Sequence, residues 1–449
     1  MNLSALAAQA RGERRVEAIL TPAARAAIEA SHADLLQAAD HGTVYGATTG
    51  VGALRAVAID RQAGEDGDQG GAGGQGLRLW RSHAGAFGPL LAEEEVRATM
   101  LVRLLQLAQG STGVSLPLAL ALEEALIADR LPPLHGYGSI GTGDLPALAQ
   151  LALALREAAG HDPDEVEALP FLSSNALTIG LAVLAYDALA GLLRAAERVA
   201  ARSFGALHGN AEAFDPAVFG TGDAAGAVAA RMRDLIAVDG AGREAAEPLR
   251  VQDPFGLRTI PQVHGAAEEA LAEVAAVLTA MIATPSENPL PLPGGTVRHH
   301  GAFLAHRLAV AVDRLRAAVL GVAELSQARL AALMSPQLTG ERAFLAGGTM
   351  SSSGLMIGEY LAADVLTRIR HETLPATLHR TSVSLGLEEL ASHATQSVRG
   401  ARAMAALLPD LLAIELHAGV HAGRERPDRV LGDELRAAAA EIAGYRTFT

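Results

Sequence analysis

Two groups of histidines are the first places where side-chain spacing alone could do chemistry. His417 and His421 stand one helical turn apart, and His299, His300 and His306 fall close together. Either set could offer imidazole nitrogens to a metal. Neither has a carboxylate at a recognised ligand spacing, so both read as satisfied or exposed histidines and no metal is expected. No serine, histidine and aspartate stand in a distinctive order. The chain has no cysteine, which removes thiolate nucleophiles, zinc–thiolate sites and disulfides. It also has no lysine, since all 36 of its lysine-or-arginine positions are arginine. Pyridoxal phosphate needs a lysine Schiff base and a P-loop needs a lysine on its phosphates, so both are excluded. Residues 64–76, GEDGDQGGAGGQG, hold seven glycines in thirteen positions. Without a preceding strand or a lysine they cannot cradle phosphate. They read as a flexible loop, either a surface insertion or a lid.

The elements that must position any site are helical. Apolar residues recur at helical spacing over 93–130, with a break at Gly110-Ser111-Thr112-Gly113, and again over 176–202, 262–284, 302–334 and 353–372. Half the residues are hydrophobic but only 3% are aromatic. Alanine, leucine and glycine make the excess, which suits close-packed helices better than sheets. The expected fold is mainly α, a long helical bundle whose centre is shared between subunits. A chain of 449 residues exceeds one small core. It divides into an N-terminal lobe at 1–150, a central long-helix bundle at 151–420 and a short helical tail at 421–449.

A formal net charge of −14 argues against a nucleic-acid partner, which needs a basic face. The uncharged run 169–186 contains Ser173, Ser174 and Asn175 and reads as a buried helix rather than a membrane span. Met1–Arg15 has no apolar core and does not resemble a signal peptide. The expected location is cytoplasmic.

Eight segments then fall in a familiar order. Val44-Tyr45-Gly46-Ala47-Thr48-Thr49-Gly50-Val51-Gly52, Ser82-His83-Ala84-Gly85 and Gly138-Ser139-Ile140-Gly141-Thr142-Gly143-Asp144-Leu145 come first. Gln252-Asp253-Pro254-Phe255-Gly256-Leu257-Arg258, Pro261-Gln262-Val263-His264-Gly265 and Ser286-Glu287-Asn288-Pro289-Leu290 follow, then Ser353-Gly354-Leu355-Met356-Ile357 and Leu412-Ala413-Ile414-Glu415. Together, from about residue 30 to 445, they resemble the aromatic amino acid ammonia-lyases and aminomutases. The likeness is to the YGxNTGFG, SHAAG, GSVGASGDL, QDPYSLR, PQVMG, SDNPL, NSGFMI and LAIE segments of that family. The resemblance implies the fumarase/aspartase-like helical architecture, a homotetramer with sites built by several subunits, and a small carboxylate-bearing substrate that loses or shifts ammonia. In the family an Ala-Ser-Gly tripeptide cyclises to the electrophile methylidene-imidazolone, or MIO.

Carried over residue by residue, the resemblance places Tyr45 on the catalytic tyrosine, a base for the β-proton, and Arg258 on the arginine that holds the substrate carboxylate. His83 falls on the histidine that contacts the ring in histidine- and tyrosine-specific members. Glu388 falls on the acid of the family's QED, and Phe303 on the phenylalanine beside the electrophile. Three departures cluster on the electrophile. Thr142 stands alone where the family has Ala-Ser, so only Gly141-Thr142-Gly143 could supply the ring and the loop is one residue short. Phe255 replaces a functional tyrosine. Ser173 takes the place of a supporting asparagine. A threonine-derived alkene would carry a methyl that hinders amine attack. The expectation is therefore an enzyme that keeps the tyrosine and the arginine but works without MIO and without any other cofactor. The alternatives are a true ammonia-lyase with a threonine-derived electrophile, and a non-catalytic binding paralogue.

Overall fold

The structure, a computed structural model, describes residues 1–59, 74–219, 222–239, 249–424 and 428–445. Six of its long helices stand where apolar periodicity places them: Glu93–Leu107, Leu116–Ile127, Ala176–Ala206, Ile260–Ala283, His306–Leu333 and Met356–His371; a further one, Ala394–His421, lies outside the segments read from periodicity. Local chemistry sets several boundaries. Thr21 caps the Pro22–His41 helix by accepting the Ala24 amide, with a proline in the first turn. Glu95 reaches back to the Ala92 amide at the start of Glu93–Leu107. Gly160, left-handed at φ 63°, closes Leu145–Ala159. Helix 176–206 belongs to an apolar stretch long enough to cross a membrane, and its most apolar window is 89% buried inside the protein. Most of the glycine-rich 64–76 segment lies outside the described residues; Gln75 and Gly76 open the short helix Gln75–His83.

Strands are minor. Phe87–Leu90 pairs antiparallel with His135–Tyr137, and Leu290–Leu292 with Thr296–Arg298. Two compact units are each assembled from three stretches of chain. The first comprises Met1–Leu184, Ala275–Val310 and Ala376–Arg399, the second Ala185–Val274, Ala311–Pro375 and Gly400–Thr449.

Each unit contains an almost fully buried arginine–glutamate pair. In the first, Arg103 donates to Glu287 at 2.6 Å, to Gln106 at 3.3 Å and to the Pro170 carbonyl at 2.8 Å. Gln106 accepts the Ser174 hydroxyl at 2.7 Å, so the pair reaches the turn that precedes helix 176–206. In the second, Arg329 grips Glu415 through two nitrogens at 2.6 and 3.1 Å, and Ser203 donates to the same carboxylate at 2.7 Å. Removing one partner of such a pair strands a buried charge and costs about 3–5 kcal/mol. The pairs therefore fix which helical faces meet more than they add net stability.

Candidate active site

The segment 44–59 folds as a tight turn around its own tyrosine. The Gly52 amide donates to the Tyr45 phenol oxygen at 2.6 Å. The Ala53 amide donates to Ser384 Oγ at 2.9 Å, which ties the turn to residues 383–388. Gly52 is left-handed at φ 57°, and a side chain there would run into Ser384 Oγ, so glycine is required. The Tyr45 amide donates to His299 Nε2 at 3.2 Å. Burial raises the Tyr45 pKa above the ordinary phenol value. The Gly52 amide pulls it down, the Glu388 carboxylate pushes it up and Arg55 pulls it down again. Glu388 is itself held above the usual carboxylate range by burial. Tyr45 and Glu388 are thus within electrostatic reach of each other in one chain. As it stands, the phenol is less acidic than a free one.

The second feature is the loop at 138–144. Gly138, Gly141 and Gly143 are all left-handed, at φ 125°, 81° and 101°. A Cβ on Gly141 would drive into Ser392 Oγ and lie 2.9 Å from the Ala394 nitrogen. The Gly141 carbonyl accepts two hydrogen bonds, from Ser392 Oγ at 2.8 Å and from the Ala305 amide at 3.0 Å. The Gly143 amide donates to Asn175 Oδ1 at 3.2 Å, and Asn175 Nδ2 donates to the Phe303 carbonyl at 2.6 Å. Flanking bonds continue the clamp. The His393 amide donates to the Ile140 carbonyl at 2.8 Å, and Gln396 Nε2 donates to the Ser139 carbonyl at 2.9 Å. Asp144, fully buried, accepts the Thr178 amide at 2.8 Å and its hydroxyl at 2.9 Å. Burial raises the pKa of Asp144, against the hydrogen bonds that it accepts. Thr142, half-buried, sits at the crest of this scaffold.

The other sequence candidates fall as follows. Ser173 accepts the Asn288 amide at 3.1 Å. The residue that bridges the loop to Phe303 is Asn175, two positions on and not singled out by ungapped counting. Phe303 contributes its carbonyl, and its half-buried ring belongs to the same unit. His83 ends helix Gln75–His83, with Nδ1 against its own turn at the Leu79 carbonyl, 2.9 Å, and Ser82 Oγ, 3.1 Å. Arg258 and Phe255 lie in the second unit, on the short helix Phe255–Arg258. The Arg258 guanidinium stacks over the Phe255 ring at 4.6 Å, while its buried Nε has no hydrogen-bond partner among the described residues. Ser384 and Ser392, which anchor the turn and the loop, carry no spacing signal. Each acts through one hydroxyl on a backbone far away in sequence.

A mainly helical chain with a clamped glycine loop and a turn-held tyrosine has the features of a helical lyase. The family model described as aromatic amino acid lyase matches residues 1–161 and 156–443. Histidine ammonia-lyase of Deinococcus radiodurans is 32% identical over 93% of this chain and 83% of its own length. That of Geobacillus thermodenitrificans is 33% identical over 89% and 83%. The chain belongs to the aromatic amino acid lyase family and is an enzyme of the lyase kind. The fold agrees with solved structures at lower identity. Ergothionase of Treponema denticola, an ergothioneine-degrading enzyme, matches with a TM-score of 0.86 at 20% identity, covering 98% of this chain and 97% of that one. Phenylalanine aminomutase of Pantoea agglomerans matches at 0.86 and 21%, covering 99% and 97%. Histidine ammonia-lyase of Trypanosoma cruzi matches at 0.83 and 23%, covering 98% and 91%.

Proposed function

We propose that this enzyme removes or adds a group at the α-carbon of a small carboxylate-bearing substrate, with Tyr45 as the base and Arg258 as the carboxylate clamp, and without an MIO electrophile. The observation that carries the reading is the double hydrogen bond on the Gly141 carbonyl. Closing an imidazolone ring would join the Gly143 nitrogen to the Gly141 carbonyl carbon and expel that oxygen as water. The Ser392 hydroxyl and the Ala305 amide would lose their acceptor, at about 1–3 kcal/mol for each buried donor left unpaired. The Gly143 amide is already engaged with Asn175. Alanine, the family's first ring residue, does not fit at 141. The residues present do not fit the group.

Without an electrophile to capture the amine, the substrate must supply its own reactivity. Tyr45 would take the β-proton, the C–H electrons would become the Cα=Cβ bond, and the α-substituent would leave with its bonding pair. A β-proton more acidic than an ordinary benzylic one, or a group that departs unaided, makes that step feasible. A substituent leaving as a neutral tertiary amine needs no proton at all. A cationic substituent beside the phenol would also lower its pKa, offsetting the burial and the Glu388 charge that raise it. Arg258, with a buried Nε awaiting an acceptor, suits a two-pronged carboxylate grip.

A homotetramer with composite sites belongs to the same reading. Met356, Ile357, Tyr360 and Leu361 expose an apolar face along helix Met356–His371, the kind of surface an oligomer covers. Light scattering that finds a stable monomer at micromolar concentration refutes the assembly.

Intact-mass measurement tests the chemistry directly. The expected mass is that of the unmodified chain, and a mass lower by two waters overturns the reading. Ergothioneine, degraded by the Treponema denticola neighbour, is the first compound to screen, beside histidine, phenylalanine, tyrosine and their N-alkylated forms.

A further inference from the structure

At the end of the second unit, outside every residue assigned above, three ligand-type side chains meet. His417 and His421 stand one turn apart on helix Ala394–His421, both nearly buried, with rings stacked 3.9 Å apart at 30°. Glu434, from the first turn of helix Gly432–Ala443, brings Oε2 to 3.7 Å from His417 Nδ1. One ligand atom from each of the three lies within 4.8 Å of the others. We propose that His417, His421 and Glu434 form a binding site for a divalent transition metal, zinc in the first instance.

The donor set suits zinc: two imidazoles and a carboxylate, with a fourth position for water. Zinc bonds to nitrogen and oxygen are about 2.0–2.2 Å, so ligands on one tetrahedral ion stand ~3.3 Å apart. Side-chain rotation alone can close the remaining gap. The cluster also already holds a cation. Arg429 donates from Nη2 to His421 Nε2 at 2.5 Å and to Glu434 Oε2 at 2.9 Å, and from Nε to Glu434 Oε1 at 2.7 Å. The guanidinium can only donate, so His421 meets it as an acceptor, with the Nε2 lone pair turned into the cluster. That is the neutral form that ligates metal. Asp428 and Arg424 line the same pocket as His421 and Arg429, so their opposite charges offset beside the cluster. The Arg429–Glu434 pair is partly exposed, and such solvent-screened pairs are weak. A metal can therefore displace the guanidinium, and Arg429 acts as a built-in competitor.

Spacing within one helix could not reveal this site, because the carboxylate comes from the next helix. Bound metal would pin helix Gly432–Ala443 to the end of helix Ala394–His421 whatever the enzyme's reaction, so success or failure here is independent of the proposed chemistry.

The test is calorimetric titration of zinc into chelator-stripped, tag-free, full-length protein. One zinc per chain is expected, with a rise in Tm. His421→Ala and His417→Ala should abolish binding, and Arg429→Ala should tighten it by up to about fivefold, the worth of one competing surface ion pair. No binding to the wild type, or binding that survives both histidine substitutions, overturns the proposal, as does weaker binding in Arg429→Ala. Should a histidine variant fail to fold, cobalt in place of zinc decides on the wild type. Strong visible bands of a tetrahedral nitrogen–oxygen site support the assignment, and the weak spectrum of an octahedral aqua-like ion refutes it.

Discussion

The Tyr45 turn and the Gly141–Gly143 loop are both held by serines of one stretch, Ser384 on the first and Ser392 on the second, yet they are built to opposite ends. In the turn, the anchors grip the backbone and leave a side chain to act. Ser384 fixes Ala53, Gly52 fixes the phenol oxygen, and the phenol keeps its proton chemistry. In the loop, the anchors consume the groups that a ring closure would need, the Gly141 oxygen and the Gly143 amide. The turn's bond to the phenol oxygen leaves the phenol proton free to move, whereas the loop's bonds engage both atoms that a ring closure would join or expel.

The comparison predicts unequal responses to substitution. Tyr45→Phe should have the largest effect, lowering kcat on the true substrate by roughly 10²–10⁴-fold, the usual worth of a positioned base. Full activity in that variant would make the phenol structural. Arg258→Lys should come next and act mainly on KM, because a point charge cannot reproduce a forked carboxylate grip. Steady-state kinetics that show kcat falling with KM unchanged would exclude the clamp. Gly141→Ala should destabilise the protein by about 2–5 kcal/mol in denaturant unfolding, through the left-handed backbone and the collision with Ser392. A wild-type midpoint would show that the loop is less tightly clamped than described.

A subtler effect concerns the segment 160–167 in the same unit. His161 pairs with Glu167 at 2.8 Å, and that hydrogen bond raises its pKa while partial burial opposes it. Burial also opposes charge on His32, but Asp164 at 2.9 Å and the Gly113 carbonyl carry its pKa above normal. Burial would raise Asp164, yet the bond from His32 and the Glu167 amide bring it below the ordinary value. A raised histidine stabilises fully below its unfolded pKa, about 6.5, and loses that contribution as pH rises through the folded value. A lowered aspartate stabilises above its unfolded value, about 3.9, and loses that contribution as pH falls through the folded one. The hydrogen-exchange protection factors of residues 160–167, taken relative to the intrinsic rate at each pH, should therefore be greatest between those limits, near pH 5–6. Protection that rises steadily to pH 8 would contradict the pairing. The smallest effect belongs to Thr142→Ala, which should show the mass calculated for its own unmodified chain and turn over at the wild-type rate. A loss of turnover as deep as that of Tyr45→Phe would mean that the loop does chemistry after all.

Much of the fold was legible in the sequence because burial of an apolar stripe repeats along a helix and leaves a period. Helix 176–206 announces itself in that way. The start of helix His306–Leu333 does not. The pattern begins at residue 302, but the Ala305 amide is given to Gly141 and the Phe303 carbonyl to Asn175, so regular winding starts only afterwards. The candidate site could be proposed as a list of segments, Tyr45 and Glu388 among them, through family likeness. Its supports could not. Ser392 reaches Gly141 across 251 positions, and a single hydroxyl on a distant carbonyl has neither period nor spacing to reveal it. The same holds for Asn175, which stood in view two residues from Ser173.

On the proposed reading, the twice-bonded oxygen of Gly141 has a consequence for anyone wishing to give this chain the family's self-made electrophile. Inserting the missing residue and restoring an Ala-Ser-Gly sequence changes the letters but leaves the Ser392 hydroxyl and the Ala305 amide seeking an acceptor. Each repair made alone is harmful. The longer loop meets a full clamp, and a loosened clamp frees a loop that still cannot cyclise. On that reading, the loop change and the anchor change are expected to be coupled, each alone losing stability without gaining chemistry. Reversal needs at least the loop and its anchor at Ser392 to change together, and a library that varies the loop alone should return only unmodified protein.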